Sequence, residues 1–451
     1  MPGFEKFNFR TRDELEAKIQ ELKLDLPMSA DFTPLSRKVA VGEREIPNAL
    51  AIQPMEGCDG QEDGTPSELT FRRYRRFAAG GAGLIWLEAT AVVPEGRANP
   101  RQLAIHSGNL PVFRQLADSI REEARHSMGV NHRPLLILQL THSGRYSKPG
   151  GKAEPIIAQH DPYLDPAVGV QAEHEPITDD DLERLQERYV EAAKLAEEAG
   201  FDGVDIKSCH RYLLSELLAA HTRPGRFGGS FGNRTRFLLE TVAKVKKVTG
   251  SEFILAVRLN VFDGHPYPYG WGVDKHESMR PDLSEPRELV RLLREQGVSL
   301  LNVTAGNPYF RNPEINRPLD VPLVGAPWPE EHPLQSVARL VSLAAEMQRA
   351  EPDLTVVGSG YSWLRQFAMP VGAANIARGA VSIVGLGRQS FADPGVIKEA
   401  LTEGRVSTDR VCLACSRCTQ IMRDGGRTGC VVRDSEVYLP IYRAGRAKER
   451  C

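Results

Sequence analysis

The chain has 451 residues, more than one average domain and enough for one large barrel with an appended segment. Charged residues make up 26% and hydrophobic residues 41%, as in a soluble globular protein, and the net charge of −2 argues against nucleic acid or an anionic membrane as partner. No apolar run approaches the roughly 20 residues of a membrane span, and the N-terminus is too charged for a signal peptide, so we predict a cytoplasmic protein.

Residues 1–44 form a polar lead-in with one predicted helix near Arg12–Leu24, and we expect this lead-in to pack outside the main domain. From about residue 46, apolar strand candidates alternate with amphipathic helices eight times, and the pattern stops near residue 405. Eight such units favour an α/β fold, a closed TIM (β/α)8 barrel, over a doubly wound sheet. The predicted strands are Ala49–Pro54, Leu84–Ala91, Leu135–Thr141, Val204–Lys207, Phe253–Leu259, Leu300–Thr304, Thr355–Gly358 and Ser382–Gly385.

The helical pattern is clearest over Asp179–Glu198. Thr178 is a good N-cap, and Asp181 stands three residues later, as in a capping box. Apolar residues then recur at helical spacing until Gly200, which ends the helix. The other predicted helices of the barrel region are Ser67–Ala79, Leu110–His126, Arg234–Val248, Pro286–Gln296 and Leu334–Arg349.

Three polar residues follow the fourth predicted strand at close spacing, namely Lys207, His210 and Tyr212. In a parallel barrel, residues at the C-terminal ends of strands build the site of chemistry. A cationic donor, an imidazole and a phenol in one place can bind a carbonyl oxygen and supply a proton. Taken singly, the three residues are better explained by structure: Lys207 as a solvated lysine, His210 as a buried histidine with its hydrogen bonds satisfied, and Tyr212 as a core residue.

The last two predicted strands both end in glycine pairs. Gly358 and Gly360 end the seventh strand, and Gly385 and Gly387 end the eighth, directly before Arg388. Glycine lets backbone N–H groups approach an anion closely, and an arginine adds charged donors. Because TIM barrels often bind phosphate with these two loops, we predict a ligand that carries a phosphate.

Four of the seven cysteines lie in one short segment, at Cys412, Cys415, Cys418 and Cys430. Two, two and eleven residues separate them, a dense pattern that is typical of metal ligands. Four thiolates suit a [4Fe–4S] cluster, a [2Fe–2S] cluster or zinc, and the spacing alone does not separate these.

Specific motifs occur in order between Ile46 and Cys430. They are Gln53-Pro-Met55, Gly80-Gly-Ala-Gly83 with Glu88-Ala-Thr90, Gln139-Leu-Thr-His-Ser-Gly-Arg145, Asp202-Gly-Val-Asp-Ile206, Arg226-Phe-Gly-Gly-Ser230 with Asn233-Arg234, Val384-Gly-Leu-Gly-Arg388 with Ala392-Asp-Pro394, and the four cysteines. In these motifs the chain resembles the Old Yellow Enzyme family of FMN-dependent oxidoreductases. Its cysteines resemble those of the iron–sulfur branch, which includes 2,4-dienoyl-CoA reductase and trimethylamine dehydrogenase.

The resemblance implies an FMN-binding barrel over residues 45–405, with the flavin across its C-terminal mouth. Arg258, in the fifth predicted strand, is implied to lie near the N1–C2 edge of the flavin, where a cation stabilises the reduced ring. A buried arginine there needs an anion, and a structural salt bridge is the alternative. The implied ring contacts are Pro54, Met55, Ala89 and Gln139, and the implied phosphate contacts are Gly360, Gly387 and Arg388.

The resemblance also assigns roles around the substrate. Lys207 and His210 are implied to bind the substrate oxygen, and Tyr212 to protonate Cα after hydride reaches Cβ. The family usually has histidine where Lys207 stands, so we expect a preference for a carboxylate or a strongly polarised carbonyl. Glu56 is a second departure, since relatives often have cysteine or threonine there, and a carboxylate beside the flavin is expected to lower its reduction potential.

For residues 406–451 the resemblance favours a [4Fe–4S] cluster. The spacing is one residue shorter than in the relatives, which leaves zinc as the alternative. Electrons are expected from NAD(P)H directly, or through the cluster from an electron-donor protein that docks near the basic tail at residues 443–450. The sequence leaves open whether copies of the chain associate into a homo-oligomer.

The activity that we expect is that of an ene-reductase acting on a small-molecule α,β-unsaturated carbonyl or carboxylate compound. An amine demethylase is the alternative, with an aromatic cage drawn from Tyr267, Tyr269, Trp271 or Tyr309. Lys207 argues against it, because a fixed cation repels a cationic amine. An electron-transfer subunit without activity of its own is the third hypothesis.

Overall fold

Eight parallel strands close into a barrel in a computed structural model of the chain, which describes residues 3–310 and 313–448. The predicted TIM barrel is therefore confirmed, and the doubly wound sheet is wrong. A separate two-stranded hairpin, β1 with β2, precedes it, and β3 to β10 follow one another around the barrel until β10 pairs with β3. The strands are β1 Val39–Val41, β2 Arg44–Ile46, β3 Leu50–Ile52, β4 Leu84–Ala91, β5 Leu135–Thr141, β6 Gly203–Ile206, β7 Ile254–Phe262, β8 Leu300–Ala305, β9 Thr355–Gly358 and β10 Ile383–Leu386.

The predicted helices are also present, with ends that differ by a few residues. Thr178 caps α6 as predicted, because its Oγ1 accepts the N–H of Asp181 at 3.1 Å. The α-helices are α1 Arg12–Glu21, α2 Thr33–Ser36, α3 Glu68–Ala79, α4 Leu110–Met128, α5 Asp165–Val168, α6 Asp179–Glu198, α7 Leu213–Leu218, α8 Phe231–Val248, α9 Ser284–Glu295, α10 Pro333–Ala350, α11 Ala368–Ala377, α12 Arg388–Ala392, α13 Val396–Glu403, α14 Arg417–Arg423 and α15 Ser435–Lys448. None of the helices in the described ranges combines the length and the apolar character that a membrane span needs.

Every residue of the eight barrel strands is buried. Helices cover the outer face of a parallel barrel while side chains fill its interior, so its strands are apolar on both faces. This burial explains why continuous apolar runs, rather than alternating ones, identified the strands in the sequence. The register that closes the barrel pairs Leu50 of β3 with Val384 of β10.

The lead-in covers the N-terminal end of the barrel. Ala40 in β1 accepts a hydrogen bond from Thr355 Oγ1 at 2.8 Å, at the start of β9. Arg44 in β2 donates to the carbonyl of Glu252 at 3.1 Å, just before β7. The hairpin therefore closes the end of the barrel opposite the predicted site, and β2 spans the predicted boundary at residue 44.

The cysteine segment folds back over the C-terminal mouth of the barrel. Thr428 N–H donates to the carbonyl of Gly57 at 2.6 Å, in the loop after β3. Asp434 accepts a bidentate pair from Arg72 of α3, at 2.8 and 2.9 Å, and also contacts Arg76. These contacts place the four cysteines beside the mouth. The end of the basic tail, at residues 449 and 450, lies outside the described residues.

Gly203→Ala is expected to destabilise the barrel by about 1–3 kcal/mol, the usual cost of overpacking a core. A Cβ at Gly203 in β6 would lie 2.3 Å from the carbonyl oxygen of Ile254, a backbone atom of the next strand. Gly232→Ala is the matched control, because a Cβ there, on α8, meets nothing within 4 Å. Denaturant unfolding of both variants tests this, and equal midpoints would contradict it.

Candidate active site

A cavity of about 1080 Å³ lies at the C-terminal mouth of the barrel. Residues from many parts of the chain meet there, because the C-terminal ends of parallel strands share one rim. The structure thus brings together most of the predicted site. Nine predicted residues line the cavity, namely Pro54, Met55, Gln139, Lys207, His210, Arg258, Gly360, Gly387 and Arg388, and Cys418 lines it as well. Ala89 and Tyr212 are buried nearby but do not line it.

One end of the cavity has the features of an anion site. Gly360 has a φ of +97°, a left-handed conformation that favours glycine. Arg388 donates from Nη2 to the carbonyl of Pro318, while its buried Nη1 has no hydrogen-bond partner among the described residues. A buried donor that lacks a partner is costly, so an acceptor from a ligand suits this position. The residues present therefore fit a phosphate group.

The barrel side of the cavity presents a cation and an amide. Arg258 donates from Nη1 to the carbonyl of Pro54 at 3.3 Å, and its buried Nε has no partner among the described residues. Asp205 on β6 accepts the Arg258 N–H at 2.6 Å and the Gln139 side chain at 2.6 Å. Burial raises the pKa of Asp205 to about 6. Asp205, which was not predicted as a site residue, thus fixes Gln139 and the backbone of Arg258.

The cavity also holds a largely buried charge pair. Lys207 Nζ lies 3.7 Å from Glu56 Oε1 and 3.9 Å from the centre of the Tyr212 ring. Tyr212 donates its hydroxyl to the same Glu56 oxygen at 3.2 Å. Burial lowers the pKa of Lys207, and Glu56 opposes this shift. Glu56 therefore partly compensates the cation that distinguishes this site.

His210 lies on a strained turn. His210 and Arg211 have φ values of +65° and +60°. Residues other than glycine rarely adopt this left-handed conformation, because it costs free energy. Ion pairs of 3.2 Å from Arg211 to the buried Asp161 and Asp263 hold this turn. Burial, followed by the charge of Arg258, lowers the pKa of His210 well below its usual value, so the imidazole is neutral at pH 7. Its buried Nε2 has no partner among the described residues.

Tyr309 is a site residue that the sequence did not single out beyond a cage hypothesis. It follows β8 and lines the cavity, and its hydroxyl lies 2.7 Å from that of Tyr212. The other three cage candidates do not line this cavity. The signal that could have identified Tyr309 is its position four residues after the end of a barrel strand, where functional residues concentrate.

The four cysteines line a second cavity, of about 370 Å³, together with Arg388 and Phe391. Two backbone N–H groups donate to sulfur, from Ala414 to Cys412 at 3.4 Å and from Arg433 to Cys430 at 3.3 Å. Within the described ranges, no group of three His, Cys, Asp or Glu residues is arranged to hold a metal ion. The donor set, four thiols around one cavity, nevertheless fits a cluster or zinc in its chemistry.

A third cavity, of about 1030 Å³, adjoins the first. Glu56, Tyr309, Met422 and Arg423 line both, so these residues form the partition between the two spaces. The third cavity also reaches Lys148, an exposed residue, and so provides a way in from solvent.

A family model described as NADH:flavin oxidoreductase / NADH oxidase matches residues 32–274. The NADH oxidase of Thermoanaerobacter brockii is 27% identical over 391 residues, which cover 85% of this chain and 53% of that protein. The NADPH dehydrogenase of a Geobacillus species is 32% identical over 266 residues, covering 58% of this chain and 69% of that one. The chain spans about half the length of the NADH oxidase.

The fold also matches solved structures. A complex of 2-naphthoyl-CoA reductase aligns with a TM-score of 0.71 at 20% identity, covering 89% of this chain and 57% of that chain. At this identity the likeness supports the fold. It extends beyond the range of the family model and includes most of the described chain.

Proposed function

The chain belongs to the NADH:flavin oxidoreductase / NADH oxidase family of FMN-dependent oxidoreductases, and we propose that it reduces an activated C=C bond in an α,β-unsaturated carbonyl or carboxylate compound. The observation that carries this proposal is the position of Lys207 and His210. Both line the same cavity as Gln139 and Arg258, the predicted flavin contacts. The first pair would hold a substrate oxygen in the cavity in which the second pair would contact the flavin.

FMN supplies the hydride when it is bound. Arg388 and the backbone at Gly360 and Gly387 hold its phosphate in this proposal, because they form the anion site of the cavity. Arg258 would supply the cation that favours the reduced flavin. Gln139, on β5 and fixed by Asp205 at 2.6 Å, would contact the ring.

Lys207 and His210 polarise the substrate. The ammonium of Lys207 donates to the oxygen that becomes negative, and the neutral imidazole of His210 offers a second, uncharged hydrogen bond. Glu56 lies 3.7 Å from Lys207, so part of the lysine charge is already compensated before the substrate binds. A substrate carboxylate or carbonyl therefore has to compete with Glu56 for this ammonium.

We also propose that residues 406–451 hold a [4Fe–4S] cluster through Cys412, Cys415, Cys418 and Cys430, with zinc as the alternative. Cys418 lines both the main cavity and the cysteine cavity, which supports a path for electrons between the two groups. NAD(P)H or an electron-donor protein would then be the source of electrons.

The test begins with anaerobic purification, followed by the visible spectrum and assays of flavin, iron, sulfide and zinc. About four iron and four sulfide per chain, together with FMN, are expected. Zinc without iron would remove the electron path but leave the reductase. The flavin is then reduced with NADH or NADPH and mixed with enones and enoates. Absence of flavin after reconstitution would refute the proposal.

Lys207→Met provides the specific control for the substrate class. We expect this variant to lose turnover of enoates and of strongly polarised enones, because the charged donor to the substrate oxygen is gone. Turnover of enoates at the wild-type rate would refute the role of Lys207 but not the reductase activity. The test compares kcat/KM for an enone and the matching enoate in both proteins.

A further inference from the structure

Tyr212, the expected proton donor, is separated from the main cavity by its own hydrogen-bond partners. Its hydroxyl contacts Glu56 at 3.2 Å and Tyr309 at 2.7 Å. Glu56 and Tyr309 both line the cavity, whereas Tyr212 does not. A substrate in the cavity therefore meets Tyr309 or Glu56 before it meets Tyr212.

Tyr309 is held firmly in this position. Its ring stacks on Tyr146 with centroids 4.5 Å apart. The guanidinium of Arg423, a residue of the cysteine segment, lies 4.3 Å from the centre of the Tyr309 ring. Asn307 accepts the Tyr309 N–H at 3.0 Å and donates to the Tyr146 hydroxyl at 2.7 Å. A side chain fixed by several partners can present its hydroxyl with the accuracy that proton transfer needs.

We propose that Tyr309 is the acid that protonates Cα of the substrate, and that Tyr212 and Glu56 return a proton to it. This inference rests on the proposed ene-reductase function. As hydride reaches Cβ, the O–H bond of Tyr309 breaks and a C–H bond forms at Cα. The Tyr212 hydroxyl then turns from Glu56 to the Tyr309 phenolate and gives up its proton across 2.7 Å. A water in the third cavity, which Glu56 also lines, protonates the Glu56 carboxylate, which passes the proton to the Tyr212 phenolate, and the hydroxide leaves to solvent.

The charges around the two phenols suit this sequence of transfers. Burial raises the pKa of Tyr212 and of Tyr309 above the usual value, so both hold their protons at neutral pH. Once a phenol has lost its proton, a nearby cation stabilises the phenolate. Arg423 lies over Tyr309 and Lys207 lies over Tyr212, so each phenol has its own cation.

Single-turnover kinetics of Tyr309→Phe, Tyr212→Phe and Tyr163→Phe test the proposal. Tyr163 is the control, because its ring is 39% exposed and does not line the cavity. Each prereduced holoenzyme is mixed with cyclohexenone, which needs a proton at carbon, and with ferricyanide, which does not. We expect Tyr309→Phe to slow oxidation by cyclohexenone about 100-fold or more, the usual contribution of a general acid, and to leave the ferricyanide rate unchanged.

We expect Tyr212→Phe to slow the enone reaction much less than Tyr309→Phe does, because Tyr309 keeps its own proton for the single turnover that is measured. The opposite order, with Tyr212→Phe severe and Tyr309→Phe near the wild-type rate, would overturn the inference. Equal loss with ferricyanide would also overturn it, since damage to the flavin site affects both oxidants. If the wild type oxidises with ferricyanide but with no enone or enoate, the proposed function fails and the inference fails with it.

A second measurement does not depend on the folding of Tyr309→Phe. Replacement of Tyr309 by 2,3,5-trifluorotyrosine keeps the hydroxyl but lowers the phenol pKa far enough to bring its titration into the measurable range. We expect the alkaline limb of the enone reaction to move to lower pH when position 309 is fluorinated, because the acid then loses its proton sooner. No shift at position 309, with a shift at position 212 instead, would assign the acid to Tyr212.

Discussion

Arg73→Ala is expected to lower the free energy of unfolding by about 3–5 kcal/mol, the cost of leaving buried charges without their partner. Arg73 lies between Asp59 and Glu88, and all three side chains are almost fully buried, at 4%, 0% and 1% exposure. Glu88 also accepts the N–H of Gly57 at 2.8 Å. The variant therefore leaves two buried carboxylates without a positive partner and loosens the loop that carries Glu56.

The loss caused by Arg73→Ala is expected to depend on pH. Burial raises the pKa of Glu88 to about 7, and Arg73 opposes this shift. When the pKa of a carboxyl is higher in the folded than in the unfolded protein, the free energy of unfolding falls as the pH rises from the unfolded pKa through the folded pKa. Removal of Arg73 raises the folded pKa further, so the deficit is smaller near pH 5 than near pH 8.

Denaturant unfolding at both pH values measures the effect of Arg73→Ala. Arg75→Ala is the matched control on the same helix, because Arg75 pairs with Glu68 at the surface, with 43% and 84% exposure. Such a pair contributes about 0–1 kcal/mol. Equal losses for the two variants would show that the Asp59–Arg73–Glu88 network does not support the loop after β3.

Arg388→Gln is expected to raise the dissociation constant of FMN by about 10–100-fold, which corresponds to one charge-assisted hydrogen bond. The Nη1 atom of Arg388 is buried at the anion end of the cavity and has no partner among the described residues. Glutamine keeps a polar donor but removes the charge. Arg388 also lines the cysteine cavity, so we expect the iron content to fall with the flavin content.

Titration of the apoprotein with FMN, followed by flavin fluorescence, measures the effect of Arg388→Gln. Arg410→Gln serves as the control, because the Arg410 side chain is 51% exposed and pairs with Glu399. It should bind FMN as the wild type does. An unchanged affinity in Arg388→Gln would show that the phosphate lies elsewhere in the cavity.

The sequence predicted the barrel because burial on both faces leaves a local signature. Each strand is an apolar run, and in each helix the apolar residues recur at helical spacing, so neighbouring residues are enough to identify both kinds of element. The hairpin of β1 and β2 lacked this signature. Its two strands have only three residues each, and contacts with Glu252 and Thr355, far along the chain, stabilise it.

The sequence indicated many of the residues that line the main cavity, but not how they are arranged. The spacing of Lys207, His210 and Tyr212 indicated one cluster, but the left-handed turn at His210 and Arg211 leaves Tyr212 behind Glu56. That turn depends on Asp161 and Asp263, which come from other loops. Spacing along the chain holds no information about such partners. For the same reason the contacts that Asp205 and Tyr309 make in the cavity wall could not be predicted from the sequence.

The pairing of Leu50 with Val384 also determines when the protein can fold during synthesis. The ribosome has to make almost the whole barrel sequence before β3 meets β10. Until then, the nascent chain exposes an unpaired strand edge, to which other chains can bind. The contacts of Gly57 and Arg72 with the cysteine segment form later still. Closure of the barrel is therefore late and depends on long-range contacts. Folding of this kind is slow and prone to aggregation, so slow expression at low temperature with chaperones present is expected to raise the yield.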